Sequence, residues 1–335
     1  MDIVTQVALG GAIGQAGFRD LGRKGVAFGA LCGLTPDLDG LWAAGDPWQN
    51  LVTHRGPSHS LVVLPLVAIP LGWLGWRLMG RRGRPQTWIH LAFWALITHP
   101  LLDTCTTYGT QLLAPLSDMR FSWDVVAIVD LFYSLPLFAA IVVGFFKSSW
   151  PDRASRWARR ALAWGGLYLV AQFAWTQANI SVFEDRLASA GFVAEHIRMP
   201  VPLFWPVVRH GVARDANGRL AVSNQVLWAP ERDPIHLIES ETSPRIEAAL
   251  ASERGRIWRW FADGMVSVRT RSDGALVLPD HRYGLYTQHT TSIFRARLPA
   301  GAAPDALEFV SPREARRDLD MRAEFSAGWQ LLTGE

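Results

Sequence analysis

The feature that most constrains this chain is a series of long windows almost free of charge, each approached or left through a loop rich in arginine. Leu61–Met79, Trp88–Leu102, Val125–Phe146 and Ala161–Ala178 carry few or no ionised side chains. Several approach the roughly 20 apolar residues that a helix needs to cross a bilayer. Shorter apolar segments, residues 3–18 and Gly25–Leu34, precede them. The hydrophobic fraction of 49% against 19% charged residues is concentrated in this half. The pattern predicts a membrane all-α helical bundle of about five to six spans over residues 1–180, with the first segment short for a span. Trp42, Trp88, Trp123 and Trp150 sit near the window ends, where amphipathic rings prefer the membrane interface.

Residue 2 is acidic and no basic leader precedes the first apolar stretch, so no cleaved signal peptide is expected. The two cysteines, Cys32 and Cys105, lie in the apolar half and provide no disulfide framework for the remainder. Basic residues gather in three connections: Arg19, Arg23 and Lys24; Arg77, Arg81, Arg82 and Arg84; and Lys147, Arg153, Arg156, Arg159 and Arg160. The positive-inside rule puts these on the cytoplasmic side. The net charge of +3 is therefore a topology signal, and dispersed arginines without a reading helix give no reason to expect nucleic-acid binding. The alternation leaves Asp37 and Asp39, His54 and His59, His99 and Asp103, and Asp124 and Asp130 at the same, outer ends of their helices.

From about residue 190 the pattern changes. Asp215-Ala216-Asn217-Gly218 and Ser272-Asp273-Gly274 are hairpin signals between short apolar runs, and another strand is expected near Ser292–Leu298. Ser243-Pro244 reads as the N-cap and first residue of a helix running to about Phe261. Residues 190–335 are thus expected to form a small α+β domain outside the membrane, on its outer side. His281 and His289 read as solvated loop histidines or as parts of a lid.

The ionisable residues at the membrane edge are the candidates for chemistry, because burying them is costly. His99 and Asp103 have the i, i+4 spacing that places two side chains on one helix face, although Pro100 disfavours helical geometry at His99. They read either as a chelating pair or as a histidine hydrogen-bonded to its own aspartate. Asp37 and Asp39 read as paired ligands or as an Asx-type helix end. His54 and His59 flank a turn at Gly56-Pro57 that could bring both imidazoles to one metal. Arg55 reads as a bidentate phosphate clamp or as an interfacial arginine. Asp130 lies inside an apolar run and needs a partner. Taken together, three histidines and several carboxylates without thiolates suit one or two divalent ions, Zn or Mn before Fe or Ni, and the ligand count suits a two-metal site.

Pro36-Asp37-Leu38-Asp39, His54-Arg55-Gly56-Pro57-Ser58-His59-Ser60, and His99-Pro100-Leu101-Leu102-Asp103 followed by Tyr108-Gly109-Thr110 occur in this order between apolar segments. Over roughly residues 1–180 this set resembles the YdjM-type inner-membrane metal-dependent hydrolases, also described as LexA-binding hydrolases. The resemblance implies a multi-pass protein of the bacterial inner membrane. The positions matching the family's motifs are Asp37, Asp39, His54, His59, His99 and Asp103.

The function expected is hydrolysis of a phosphoester on a lipid, a lipid-linked phosphate or another amphiphile at the outer face. In that expectation Arg55 and Ser58 stabilise developing charge, and Asp130 is a third catalytic candidate. The absence of His-Glu-x-x-His disfavours proteolysis. Divalent-cation transport and a metal-stabilised scaffold or binding role are the alternatives.

Overall fold

The computed structural model describes residues 1–41, 45–146, 151–202, 205–315 and 319–334. Trp42, Trp150 and Lys147, which figure in the expected topology, lie outside the described residues. The chain divides into two compact units, Met1–Gly45 with Thr53–Phe173, and Asp46–Val52 with Ala174–Glu335. Helices come first: α1 (Ile3–Gly17), α2 (Arg23–Leu34), α3 (Pro47–Thr53), α4 (Leu64–Leu78), α5 (Pro85–Thr104), α6 (Leu131–Phe146) and α7 (Pro151–Ser189). Short 3-10 turns at Thr35–Leu41 and Pro57–His59 carry the polar motifs.

The α1–α2 pair is built on glycines spaced four apart, Gly10 and Gly14 on one helix and Gly25, Gly29 and Gly33 on the other. A Cβ at Gly10 would lie 2.1 Å from the Gly29 carbonyl oxygen, and one at Gly33 would lie 2.3 Å from that of Gln6. Backbones can approach this closely only where both surfaces lack side chains. The apolar faces then close over the crossing. Ala8, Leu9, Leu102, Val126, Leu137 and Ala158 form one buried cluster, and Phe28, Leu64, Trp88, Leu91 and Leu96 belong to a second. Trp88 is therefore a core residue and not an interfacial one. It is fully buried, edge-on to Phe28 at 5.2 Å, with Nε1 donating to the Arg82 carbonyl at 2.8 Å.

Among the described residues no single helix is long and apolar enough to cross a membrane, which overturns the expected bundle of five to six spans. The windows are longer than the helices they contain. α4 has 15 residues and α6 has 16, because residues 125–130 of its window are not helical. At about 1.5 Å per residue such helices rise about 22–24 Å, short of a hydrocarbon core roughly 30 Å thick. α5 is long enough, with 20 residues, but includes His90, His99 and Asp103. α7 has 39 residues, yet its uncharged stretch from Ala161 to Ala178 includes Gln172, Thr176 and Gln177 and is not apolar enough for a span. One bent pair, Pro47–His59 with Leu64–Leu78, passes the same length and composition test together, with a 70° break between its halves.

The second unit carries two antiparallel meanders, β1 (His196–Arg198), β2 (Arg209–Arg214), β3 (Leu220–Gln225) and β4 (His236–Ile238) in one sheet, then α8 (Pro244–Ala251) and α9 (Glu253–Phe261). A second sheet contains β5 (Arg269–Thr270), β6 (Leu276–Pro279), β7 (Arg295–Leu298) and β8 (Glu308–Val310), and α10 (Pro312–Ala315) and α11 (Met321–Thr333) follow. The β2–β3 turn is closed by Asp215, whose Oδ1 accepts from the Asn217 and Arg219 amides at 3.0 and 2.8 Å, while Gly218 takes the positive φ of 79°. The helix expected from Ser243 to Phe261 is two helices. Ser243 caps the first, and Ser252 breaks the run by capping the second, with its Oγ accepting from Gly255 N at 3.1 Å. His281 is fully buried with Nε2 2.8 Å from Ser267 Oγ, so it is not a solvated loop residue.

The glycine crossing makes a direct prediction. Gly29→Val should destabilise the chain by about 1–3 kcal/mol through overpacking, whereas Gly17→Ala, with nothing within 4 Å of the added methyl, should leave thermal unfolding nearly unchanged.

Candidate metal centre

Three segments that are remote in sequence bring their ionisable groups to one place in the first unit. The turn following α2 presents Asp37 and Asp39, the loop after α3 presents His54 and Arg55, the Pro57–His59 turn presents His59, and the last turns of α5 present His99 and Asp103. Helix α5 runs through Pro100 without ending, so His99 and Asp103 do share one face. His59, His99 and Asp103 are fully buried and Asp37 is partly so.

At the centre, His59 Nε2 and His99 Nε2 face each other at 3.1 Å. Asp37 Oδ1 lies 3.4 Å from the first and 3.5 Å from the second. Asp103 Oδ2 lies 3.4 and 3.6 Å from the same two atoms. A tetrahedral ion with ligands about 2.0–2.1 Å away would hold them about 3.3–3.4 Å apart. The side chains already stand at the spacing such an ion requires.

The hydrogen atoms strengthen this fit. His99 Nδ1 is 2.7 Å from the Gly33 carbonyl, which can only accept, so Nδ1 carries the hydrogen and the Nε2 lone pair is free to point inward. Ser58 Oγ donates to Asp39 Oδ2 at 2.5 Å and therefore accepts from His59 Nδ1 at 2.9 Å. His59 Nε2 then also presents a lone pair. Two lone pairs facing at 3.1 Å repel unless a cation or a proton lies between them. Asp37 Oδ2 is buried without a hydrogen-bond partner, which is costly in the absence of a compensating charge, and Asp103 Oδ2 has the Arg55 guanidinium 3.1 Å away. The donor set and its spacing fit one divalent ion.

Asp39 and His54, expected among the ligands, stand one step back. Their side chains meet each other at 2.8 Å, and Asp39 Oδ2 also accepts from the Arg55 amide at 3.1 Å. His54 turns edge-on to Tyr108 at 5.5 Å, so the Gly56-Pro57 turn does not bring both of its imidazoles to one centre. The four facing atoms are a set for one ion. Asp130 is engaged elsewhere: its oxygens accept from Tyr133 N at 3.1 Å and Tyr168 Oη at 2.8 Å, so it caps α6.

Arg55 is buried, with Nε 3.1 Å from Asp103 Oδ2, Nη1 donating to Thr106 Oγ1 at 3.0 Å and the guanidinium 4.9 Å from the Tyr108 ring centre. Its φ of +60° is uncommon for a residue other than glycine, and such strain persists where surrounding contacts impose it. Asp103 Oδ1 is held by Gln6 Nε2 at 3.0 Å and by the Met1 amino group. Sequence reasoning missed Gly33, Thr106 and Gln6. A glutamine inside an apolar segment was a signal for Gln6; a backbone carbonyl such as that of Gly33 leaves none.

In the metal-free protein, with a proton between the two Nε2 atoms, burial by itself would raise the carboxyl of Asp37, yet His59 and His99 beside it hold it well below the ordinary carboxylate range. Burial likewise opposes ionisation of Asp39, but His54 and His59 hold it down.

The model of the YdjM inner membrane protein family matches residues 1–179, and the chain belongs to that family. No curated protein and no solved structure gives a match.

Two outcomes follow from the geometry. Asp39→Asn removes the charged acceptor that orients Ser58, His54 and the Arg55 amide; Zn2+ affinity should fall about 10–100-fold, read by competition with a chromophoric chelator. The depressed carboxylates contribute stability that is fully present above the ordinary aspartate value of about 3.9 and is lost as pH falls below it. The midpoint of thermal unfolding of the metal-free protein should therefore drop below about pH 4, and more steeply than in Asp39→Asn.

Proposed function

We propose that this member of the YdjM inner membrane protein family is a metal-dependent hydrolase acting on a phosphoester of a lipid or another amphiphile. The observation that carries the reading is the pair of facing imidazole lone pairs flanked by Asp37 Oδ1 and Asp103 Oδ2 at the spacing of ligands around one ion. In this reading Asp37, His59, His99 and Asp103 hold the ion, with Zn or Mn favoured by the mixed nitrogen and oxygen set. The ion would polarise the phosphoryl oxygen and acidify water.

The chain's own groups divide the remaining tasks. Asp37 is the only one of the four that is not fully buried, so it is the side from which substrate would approach. Arg55 keeps a fixed positive charge beside Asp103, where developing negative charge is stabilised. Ser58 is hydrogen-bonded to both Asp39 and His59; its task here is to position His59 and fix its tautomer. Asp130 takes no part, because its oxygens are occupied. Exposed apolar residues on α4 and α6, such as Leu66, Ile69, Trp73, Leu131, Leu135 and Phe138, give an amphiphilic substrate or a lipid surface something to contact.

The test is phosphate release from a short-chain phosphatidate in mixed micelles, measured alongside metal content. Chelation should abolish turnover and Zn2+ or Mn2+ should restore it. His99→Ala should lose both metal and activity. Arg55→Lys should keep the metal while losing at least about tenfold in turnover, because an ammonium cannot reproduce the guanidinium's fixed fork. Full metal occupancy with no turnover on any amphiphilic phosphoester would make the ion structural and overturn the proposal.

A further inference from the structure

The second unit holds a polar cluster that the YdjM match, which ends at residue 179, does not cover. Asp233 follows a short 3-10 turn, His236 is the first residue of β4, and His289 lies in the loop between Gly284 and Ser292. One ligand-capable atom from each lies within 4.8 Å of the other two. His236 Nε2 and His289 Nε2 approach the same oxygen, Asp233 Oδ1, at 3.0 and 3.5 Å. The two rings stack at 3.7 Å with 16° between their planes.

Asp233 is anchored from behind. Its Oδ2 accepts from the Asn224 backbone amide at 2.7 Å and from Asn224 Nδ2 at 3.1 Å. Its carbonyl accepts from Arg186 Nη2 at 2.6 Å and Ser223 Oγ at 2.9 Å. This leaves Oδ1 as the oxygen turned toward the imidazoles, in the manner of a carboxylate oriented by outer-shell partners. The loop carrying His289 is tied as well, with the Tyr286 and Thr287 amides donating to the Glu324 carboxylate at 2.7 and 3.1 Å.

From this arrangement we propose that Asp233, His236 and His289 form a second site for a divalent transition-metal ion. Two imidazoles and one carboxylate are the ligands that Zn2+, Fe2+, Co2+ and Ni2+ accept, and three protein ligands leave coordination positions open. Two protonated imidazoles would repel at this stacking distance, whereas two neutral ones can bind one ion. For both lone pairs to meet the ion the rings must swing apart. The His236 side chain is 35% exposed, so it has room to turn and the ion has a way in.

Metal stoichiometry of the full chain after equilibration with Zn2+ or Co2+ tests the proposal. The wild type should bind two ions, and His289→Ala and His289→Gln should each bind one. The same loss from both variants, with thermal unfolding of the first unit's metal-loaded state unchanged, assigns the lost ion to this cluster. His59→Ala should also bind one ion, and the His59→Ala/His289→Ala double variant none. If both His289 variants retain wild-type stoichiometry, the second site is wrong. If instead His59→Ala retains it while the His289 variants lose an ion, the first centre fails and the second stands.

Discussion

Two imidazole nitrogens with their lone pairs aimed at each other are unstable neighbours, and the organisation of the first unit follows from keeping them there. His99 is turned inward by the Gly33 carbonyl and His59 by the Ser58–Asp39 relay. Neither ring can offer a hydrogen to the other without breaking its outer contact or gaining a proton. A positive charge between them relieves the conflict, and the oxygens of Asp37 and Asp103 stand where they would share it. The electrostatic demand and the ligand geometry thus converge on the same point.

The scaffold that holds these groups is steric before it is polar. Gly33 can present its carbonyl to His99 because the α1–α2 crossing admits no side chains, and the close approach that a Cβ at Gly33 would make to the Gln6 backbone measures how tight that contact is. The same approach brings Gln6 to Asp103 and to the His99 carbonyl. Arg55 adds a buried cation against Asp103 at the cost of a left-handed backbone. Its amide and carbonyl are both used, by Asp39 and by Gln111 N, which explains how the surroundings impose that conformation.

Several features were legible in the residue order. The i, i+4 spacing of His99 and Asp103 correctly set both on one face, since a helix repeats every 3.6 residues whatever surrounds it. The hairpins at Asp215–Gly218 and Ser272–Gly274 announce themselves through residues that tolerate positive φ. The apolar windows misled, because composition counts residues but does not say which are helical: the window from Val125 contains a non-helical entry before α6, and the one from Leu61 loses its first residues to the turn after His59. Trp88 looked interfacial because an indole at a helix end is amphipathic, yet its ring is buried against Phe28 and its N–H finds the Arg82 carbonyl of the preceding loop.

By itself the sequence determined which residue types were available for chemistry, their order, and membership of the family over the first 179 residues. Local spacing was enough for that, since i, i+4 faces and turn residues are set by the backbone. Only the tertiary structure separated Asp37, His59, His99 and Asp103, whose atoms face one point, from Asp39 and His54, which pair with each other behind it. It alone joined His236 and His289, 53 positions apart in the chain, over one carboxylate oxygen. Both outcomes depend on how backbones pack and which carbonyls they aim, and a close glycine crossing or an anchored aspartate is a property of two segments meeting.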